Sequence, residues 1–280
     1  MADWVEIVVT VDDARAEDVA AAVAPNGAQL RVGEVVFWVD VADAESAVAA
    51  ARAAIAPFHL APSAVRAQPA VPEQEWRDAW KRYFRVERLT PRIVIVPSWE
   101  TYQPVDGDVV LHLDPGQAFG TGAHASTQLC LTALDGAPPV DRFFDLGTGS
   151  GILSIAAAKL WPNATGLAID VDPLAVDAAT ENCARNGVGD RVECSGRPLA
   201  RVDEAFPLVL ANIQAVVHLQ HVAAIVERVA PGGALVLSGL LSGEVDGVAG
   251  IYVAAGMTLD RIVRSDRDPE WSAAHLRAPA

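Results

Sequence analysis

The sequence predicts an α/β protein with a doubly wound, mostly parallel sheet, preceded by a small α+β domain. Three observations predict it. Beyond about residue 140, short apolar strand-like runs alternate with helical stretches, the pattern of a parallel sheet with crossover helices. A glycine-rich turn, Asp145-Leu-Gly-Thr-Gly-Ser-Gly151, separates one such strand from one such helix, and Asp170 ends the strand that follows. Residues 1–70 run β-α-β-β-α-β instead, the order of a ferredoxin-like unit.

The opening strand carries Trp4, Val5, Ile7, Val8, Val9 and Val11, and an Ala/Val helix from Ala14 to Ala24 stops before Pro25-Asn-Gly27. Leu30–Val32 and Val35–Val41 read as a hairpin pair, Ala44–Ala56 as a second helix and Ala64–Ala67 as a weak last strand. Pro57, Pro62, Pro69 and Pro72 interrupt regular structure and mark a boundary. The expected domains are 1–70, a linker with its helix at 71–90, and 91–280. Within the linker, Glu73–Phe84 places Trp76, Trp80 and Tyr83 on one helical side. Arg77, Lys81, Arg82 and Arg85 lie largely outside that stripe and, with Arg88 and Arg92, form a basic cluster. It reads first as a solvated face and second as a contact for an acidic or ribosomal partner.

Ile93–Trp99 and Val109–Asp114 are strand-like and lead, through Pro115–His124, into a helix from Ala125 to Leu134 expected to cap the ligand site. Val140–Phe144 is the organising strand and Ile152–Lys159 its helix. Thr165–Asp170 follows, then a helix to Asn186-Gly187 with Asp172 as candidate N-cap and Pro173 in the first turn. Arg191–Cys194, Pro207–Asn212 and Ala234–Ser238 are the third to fifth strands. Val248–Ala255 is helical, and Met257–Val263 and Trp271–Leu276 close the sheet. In such a sheet the ligand sits at the carboxyl ends of the strands.

Gly147, Gly149 and Gly151 allow close approach of backbone to ligand. Asp170 can accept hydrogen bonds from both ribose hydroxyls, so the ligand should contain ribose. A dinucleotide fingerprint fails because Ile152 takes the place of its third glycine, and no G-x-x-x-x-G-K-[ST] occurs. The pattern D-x-G-x-G-x-G resembles motif I of the S-adenosylmethionine-dependent methyltransferases; another nucleotide cofactor or a turn that binds nothing are the alternatives.

With 280 residues and 51 % hydrophobic content, the chain can bury sizeable cores. Its formal net charge of −15 disfavours broad nucleic-acid binding and would attract a basic protein partner, but it reads first as solubility alone and identifies no partner. No apolar run reaches the roughly 18 residues of a membrane span, and the N-terminus lacks a signal core, so a soluble cytoplasmic protein is expected. Cys130, Cys183 and Cys194 form no C-x-x-C pair and read as small, buried, reduced thiols; no metal site is expected. His218 and His221, three apart, read as solvated or capping rather than as ligands.

Asp114-Pro-Gly-Gln-Ala-Phe-Gly-Thr-Gly-Ala-His124 resembles the D-P-G-x-A-F-G-T-G-x-H signature of the ribosomal protein L-eleven methyltransferase family, the PrmA type. Ile169-Asp-Val-Asp-Pro173, Glu181-Asn182, Arg185-Asn-Gly187 and Leu210-Ala-Asn-Ile213 follow in the family's order. The resemblance implies a ferredoxin-like N-terminal domain that recognises the ribosomal protein. It also implies a seven-stranded Rossmann-like class I domain that methylates lysine side chains and the N-terminal amine, with S-adenosylmethionine as donor. By motif, Thr127, Gly147, Asp170 and Asn212 correspond to cofactor-contacting positions, Gly149 and Gly151 complete the loop, and Asn212 is also the catalytic candidate beside the transferable methyl group. Thr127 reads alternatively as a helix-start hydroxyl, and Phe119 either packs over cofactor or acceptor or is ordinary core.

Asn212-Ile-Gln214 stands where other amino-group methyltransferases carry Asn-Pro-Pro-aromatic, which holds the target nitrogen through an amide oxygen and a backbone carbonyl. Gln214 departs from the hydrophobic or aromatic residue expected there. The implied reaction is in-line attack by a neutral amine without a metal. No general base is evident; Asp114 and His124 either shape their loop or move protons. The expected partner is large-subunit ribosomal protein eleven, and the expected state a monomer. The rival readings are a methyltransferase of another protein lysine or small amine, and a non-catalytic cofactor-binding module that docks to the ribosome.

Overall fold

Alternating valines and isoleucines build the N-terminal sheet. In the computed structural model, which describes residues 4–12, 15–24, 28–69, 84–114 and 124–280, the chain divides into two compact units, 1–83 and 84–280. The expected helix beginning at Glu73, with Trp76, Arg77, Trp80, Lys81, Arg82 and Tyr83, lies outside the described residues, as does the loop 115–123 with Phe119.

The first unit comprises β1 (Trp4–Thr10), α1 (Ala16–Val23), β2 (Gln29–Arg31), β3 (Glu34–Asp40), α2 (Ala44–Ala54) and β4 (Val65–Pro69). Its sheet has the order β2-β3-β1-β4 with every pair antiparallel, the ferredoxin-like topology. Ile7, Val9, Val35, Phe37 and Val65 turn one face of the sheet onto Val19, Ala51 and Ile55. Three of the four boundary prolines interrupt less than expected, and Pro72 lies outside the described residues. Pro57 and Pro62 sit inside single 3-10 turns, where a missing N–H is not needed, and Pro69 ends β4, an edge strand that spares its N–H.

The second unit opens with β5 (Glu87–Arg88), β6 (Ile93–Val96) and β7 (Val109–His112), a separate three-stranded sheet. Three arginines of the basic cluster are engaged here within the unit. Arg85 pairs with Glu100 at 2.7 Å, Arg88 with Asp108 at 2.7 Å and Arg92 with Asp135 at 2.5 Å. The guanidinium groups stay exposed, as the solvated reading expected, and each also meets an acceptor presented by its own unit.

Next come α3 (Ala125–Gly136), β8 (Arg142–Leu146), α4 (Ile152–Leu160), β9 (Thr165–Ile169), α5 (Pro173–Arg185), β10 (Val192–Ser195), β11 (Phe206–Asn212), α6 (Ala215–Gln220) and α7 (Val222–Val226). β12 (Val229–Leu241), α8 (Val245–Ala254), β13 (Thr258–Arg264) and β14 (Trp271–Arg277) complete the unit. The seven strands run β10-β9-β8-β11-β12-β14-β13, and β14 alone runs opposite to the other six. Central strands covered on both faces must be apolar on both, and β8 shows it. Phe143 packs toward Leu131, Leu134 and Ile155, while Phe144 packs toward Ile225, Val248 and Tyr252. β12 is longer than expected because pairing resumes around Pro231-Gly232-Gly233 with a register shift against β11.

Candidate active site

The carboxyl ends of β8, β9, β11 and β12 converge on the glycine loop. Gly147 and Thr148 each donate an N–H to the Ile169 carbonyl, at 2.9 and 3.0 Å, laying the loop over the end of β9. The Gly149 N–H reaches Asp170 Oδ2 at 2.9 Å, and the Asp172 N–H reaches Oδ1 at 3.0 Å. Both carboxylate oxygens are thus oriented by backbone, with lone pairs to spare. Asp172 also caps α5, accepting from the Leu174 N–H at 2.9 Å with Pro173 in the first turn.

The three glycines share positive φ but differ in task. Gly147 has φ +73°, and a Cβ there would stand 2.4 Å from Ile213 Cγ2, so its bare backbone admits the segment after Asn212. Gly149 has φ +55° and serves Asp170. Gly151, at φ +81°, starts α4, and its Cβ would come within 3.1 Å of Ala179 Cα on α5. Asn182, also on α5, fixes the loop from below through a 2.9 Å bond to the Ser150 carbonyl.

Asp145 lies fully buried beneath the loop. Its Oδ2 accepts from the Thr148 and Ser154 hydroxyls, both at 2.8 Å, while Oδ1 has no partner among the described residues. Burial pushes its carboxyl up to about 6, and the two hydroxyls offset only part of that rise.

Asn212 ends β11 and meets Thr127 on α3: Nδ2 donates to Thr127 Oγ1 at 3.2 Å. The amide oxygen Oδ1 is buried without a partner among the described residues. Because the amide hydrogens face Thr127, the acceptor end of Asn212 is the end left for another donor. Ser126, next to Thr127, offers its carbonyl to Ser238 Oγ at 2.9 Å, tying α3 to the end of β12.

The two loop residues with an open role are both engaged. Asp114 accepts from the Ser98 N–H at 2.6 Å and pairs with Arg185 at 2.8 Å. His124 caps α3 through Nδ1, which accepts from the Ser126 N–H at 3.3 Å, and its ring meets Trp271 edge-on at 4.4 Å. His218 is not solvated: it is fully buried, with Nε2 3.0 Å from the Ser238 carbonyl, while His221 is exposed. Val171, directly after Asp170, is an apolar side chain left 94 % exposed. Cys130 and Cys183 are buried and Cys194 partly so; the last two approach to 3.9 Å without bonding covalently.

A family model described as "Ribosomal protein L11 methyltransferase (PrmA)" matches residues 8–278. The chain belongs to this family. PrmA relatives include a ribosomal protein L11 methyltransferase of Trichlorobacter lovleyi, 47 % identical over 177 residues that cover 61 % of this chain and 58 % of that protein. One from Geobacter metallireducens is 42 % identical over 218 residues, covering 76 % of this chain and 71 % of its own length. The crystal structure of ribosomal protein L11 methylase from Lactobacillus delbrueckii subsp. bulgaricus matches 70 % of this chain over all of its own, with 32 % identity and a TM-score of 0.63. The PrmA match spans both compact units, from β1 to the end of β14.

Proposed function

We propose that this chain is an S-adenosylmethionine-dependent N-methyltransferase that modifies lysine side chains and the N-terminal amine of ribosomal protein L11. The observation that carries the reading is the unpartnered acceptor oxygen of Asn212, held by Thr127 beside the glycine loop. Membership of the PrmA family supports the choice of substrate. The ferredoxin-like unit is assigned to recognition of the ribosomal protein, and the protein acts as a monomer in the cytoplasm. Among the described residues, no helix is long and apolar enough to cross a membrane.

The residues fit the cofactor. Asp170, oriented by two backbone N–H groups, takes the ribose hydroxyls. Gly147 and Gly149 admit the methionine portion to the backbone, Gly151 shapes the loop's exit into α4, and Thr127 borders the amino-acid end. When bound, S-adenosylmethionine supplies an electrophilic sulfonium methyl group. Asn212 Oδ1 accepts a hydrogen bond from the incoming amine and aligns its lone pair for in-line attack, so that positioning supplies much of the acceleration. A lysine of ordinary pKa near ~10.4 reacts only as the free amine. Its proton passes to water, since Asp114 is engaged by Ser98 and Arg185 and His124 by the Ser126 N–H.

The test is intact-mass spectrometry of L11 incubated with this protein and S-adenosylmethionine, beside a Gly147→Arg control. The expected result is a ladder of single-methyl steps absent from the control. Cofactor binding without any step would refute L11 as substrate. It would then direct the search to another amine or to a docking role.

A further inference from the structure

α6, which follows Asn212-Ile-Gln214, is only six residues long, yet it carries a histidine with no exposed surface. A carbonyl oxygen can only accept, so the 3.0 Å contact from His218 Nε2 to the Ser238 carbonyl assigns the ring proton to Nε2. The His218 backbone N–H donates to the Gln214 carbonyl at 3.1 Å, tying the residue that carries the ring to the segment that follows Asn212. Nδ1 faces the Tyr252 hydroxyl at 3.4 Å, edge-on to a phenol that is itself fully buried. Burial lowers the imidazole's pKa and keeps the ring neutral.

These contacts close a circuit around the acceptor residue. Ser238 Oγ binds the Ser126 carbonyl, Thr127 holds the Asn212 amide, Ile213 and Gln214 lead from Asn212 into α6, and His218 returns to Ser238. The ends of β11 and β12 come so close that a Cβ on Gly239 would stand 2.4 Å from the Ile213 carbonyl oxygen. An apolar side chain of His218's size would fill the same space. It would leave the Ser238 carbonyl, in a fully buried residue, without its donor.

We propose that His218 is a positioning residue for methyl transfer: its Nε2–H anchors α6 to the Ser238 carbonyl, beside the point where Gly239 packs on Ile213, and thereby holds the Asn212 acceptor oxygen on the incoming amine. It touches neither cofactor nor substrate. The inference rests on the reading of Asn212 as the residue that receives the amine.

The test compares His218→Leu, which fills the space without a donor, with His218→Gln, whose amide restores an N–H at similar reach. Single-turnover methylation of L11 is measured at saturating S-adenosylmethionine, at a temperature where near-ultraviolet circular dichroism shows every variant folded. Cofactor Kd is measured by calorimetry. The leucine variant should be slowed about tenfold or more, the scale of a small misplacement near the reacting atoms, with Kd unchanged, and glutamine should recover most of the rate. If leucine does not fold, Tyr252→Phe, which frees Nδ1, should show a smaller loss in the same direction. The side-chain amide 15N resonance of Asn212 gives a readout independent of turnover: it should shift in the leucine variant and return with glutamine. A wild-type rate in the leucine variant, an unmoved Asn212 resonance, or equal losses of rate and affinity in both variants would each overturn the proposal. Failure of the wild-type protein to methylate L11 would instead count against the substrate assignment, leaving the Asn212 resonance to decide the role of His218.

Discussion

Asparagine in place of Asp145 isolates the cost of holding a carboxyl group beneath the cofactor loop. The group titrates at about 6 in the fold against an ordinary 3.8, because burial disfavours its anion. Folding therefore prefers the protonated form. Below about pH 4 both states hold the proton and there is no penalty; as pH rises through about 6, the stability contributed by the protonated form is lost. From 3.8 to about 6, at 1.36 kcal/mol per pH unit, the loss reaches roughly 3 kcal/mol. The substituted amide would retain an oxygen for Thr148 and Ser154, but would place an N–H2 where Oδ1 has no partner. That unsatisfied donor costs ~1–3 kcal/mol, independent of pH. The signature is thus a slope rather than an offset. The stability of Asp145→Asn minus that of wild type should grow by roughly 3 kcal/mol between about pH 4 and about pH 8, read from urea midpoints at constant m. His218 and His275, both lowered by burial, lose stability as pH falls, but they are present in both proteins and cancel. A difference that stays constant across the range would refute the assignment of a strained carboxyl at Asp145.

Three further outcomes follow from the site. Asp170→Ala should weaken S-adenosylmethionine binding by about ten- to a hundredfold in calorimetry, the worth of a charged hydrogen bond; undiminished affinity would remove Asp170 from the ribose. Asn212→Ala should slow single-turnover transfer more than it weakens cofactor binding, and Thr127→Val, which deletes the amide's acceptor at 3.2 Å, should follow in the same direction to a lesser degree. Unchanged turnover in the alanine variant would contradict the mechanism. Gly239→Ala must hold φ +76° with its Cβ 2.4 Å from the Ile213 oxygen. It should lower stability by at least ~1–2 kcal/mol in thermal unfolding, the left-handed penalty alone, and a wild-type midpoint would show that the two strand ends separate easily.

The succession of strands in the Rossmann-like sheet was legible because most are short apolar runs closed by a glycine, proline or polar turn, and Asp145 to Gly151 and Asp170 are contiguous patterns. What local pattern could not supply was pairing at a distance. Thr127 and Asn212 stand 85 residues apart, and only a family resemblance suggested that both belong to one site. The burial of His218 was illegible for a related reason. A helix of six residues has too few turns to display a buried stripe, and the cover comes from β12 and α8 through Ser238 and Tyr252. The partners of the basic cluster were illegible for the same reason: the carboxylates of Glu100, Asp108 and Asp135 that engage Arg85, Arg88 and Arg92 come from loops and a helix end downstream.

Gly151 bears on how far the cofactor loop can be transplanted. Its absent side chain makes room for Ala179 at 3.1 Å, so the last glycine of the pattern is half of a joint whose other half sits one helix further along the chain. Grafting residues 145–151 onto another sheet without the small residue on the neighbouring helix would carry over the letters and lose the fit. By the same logic, any drift at position 151 has to be answered at position 179, and the segment inherited as a unit runs from β8 through α5.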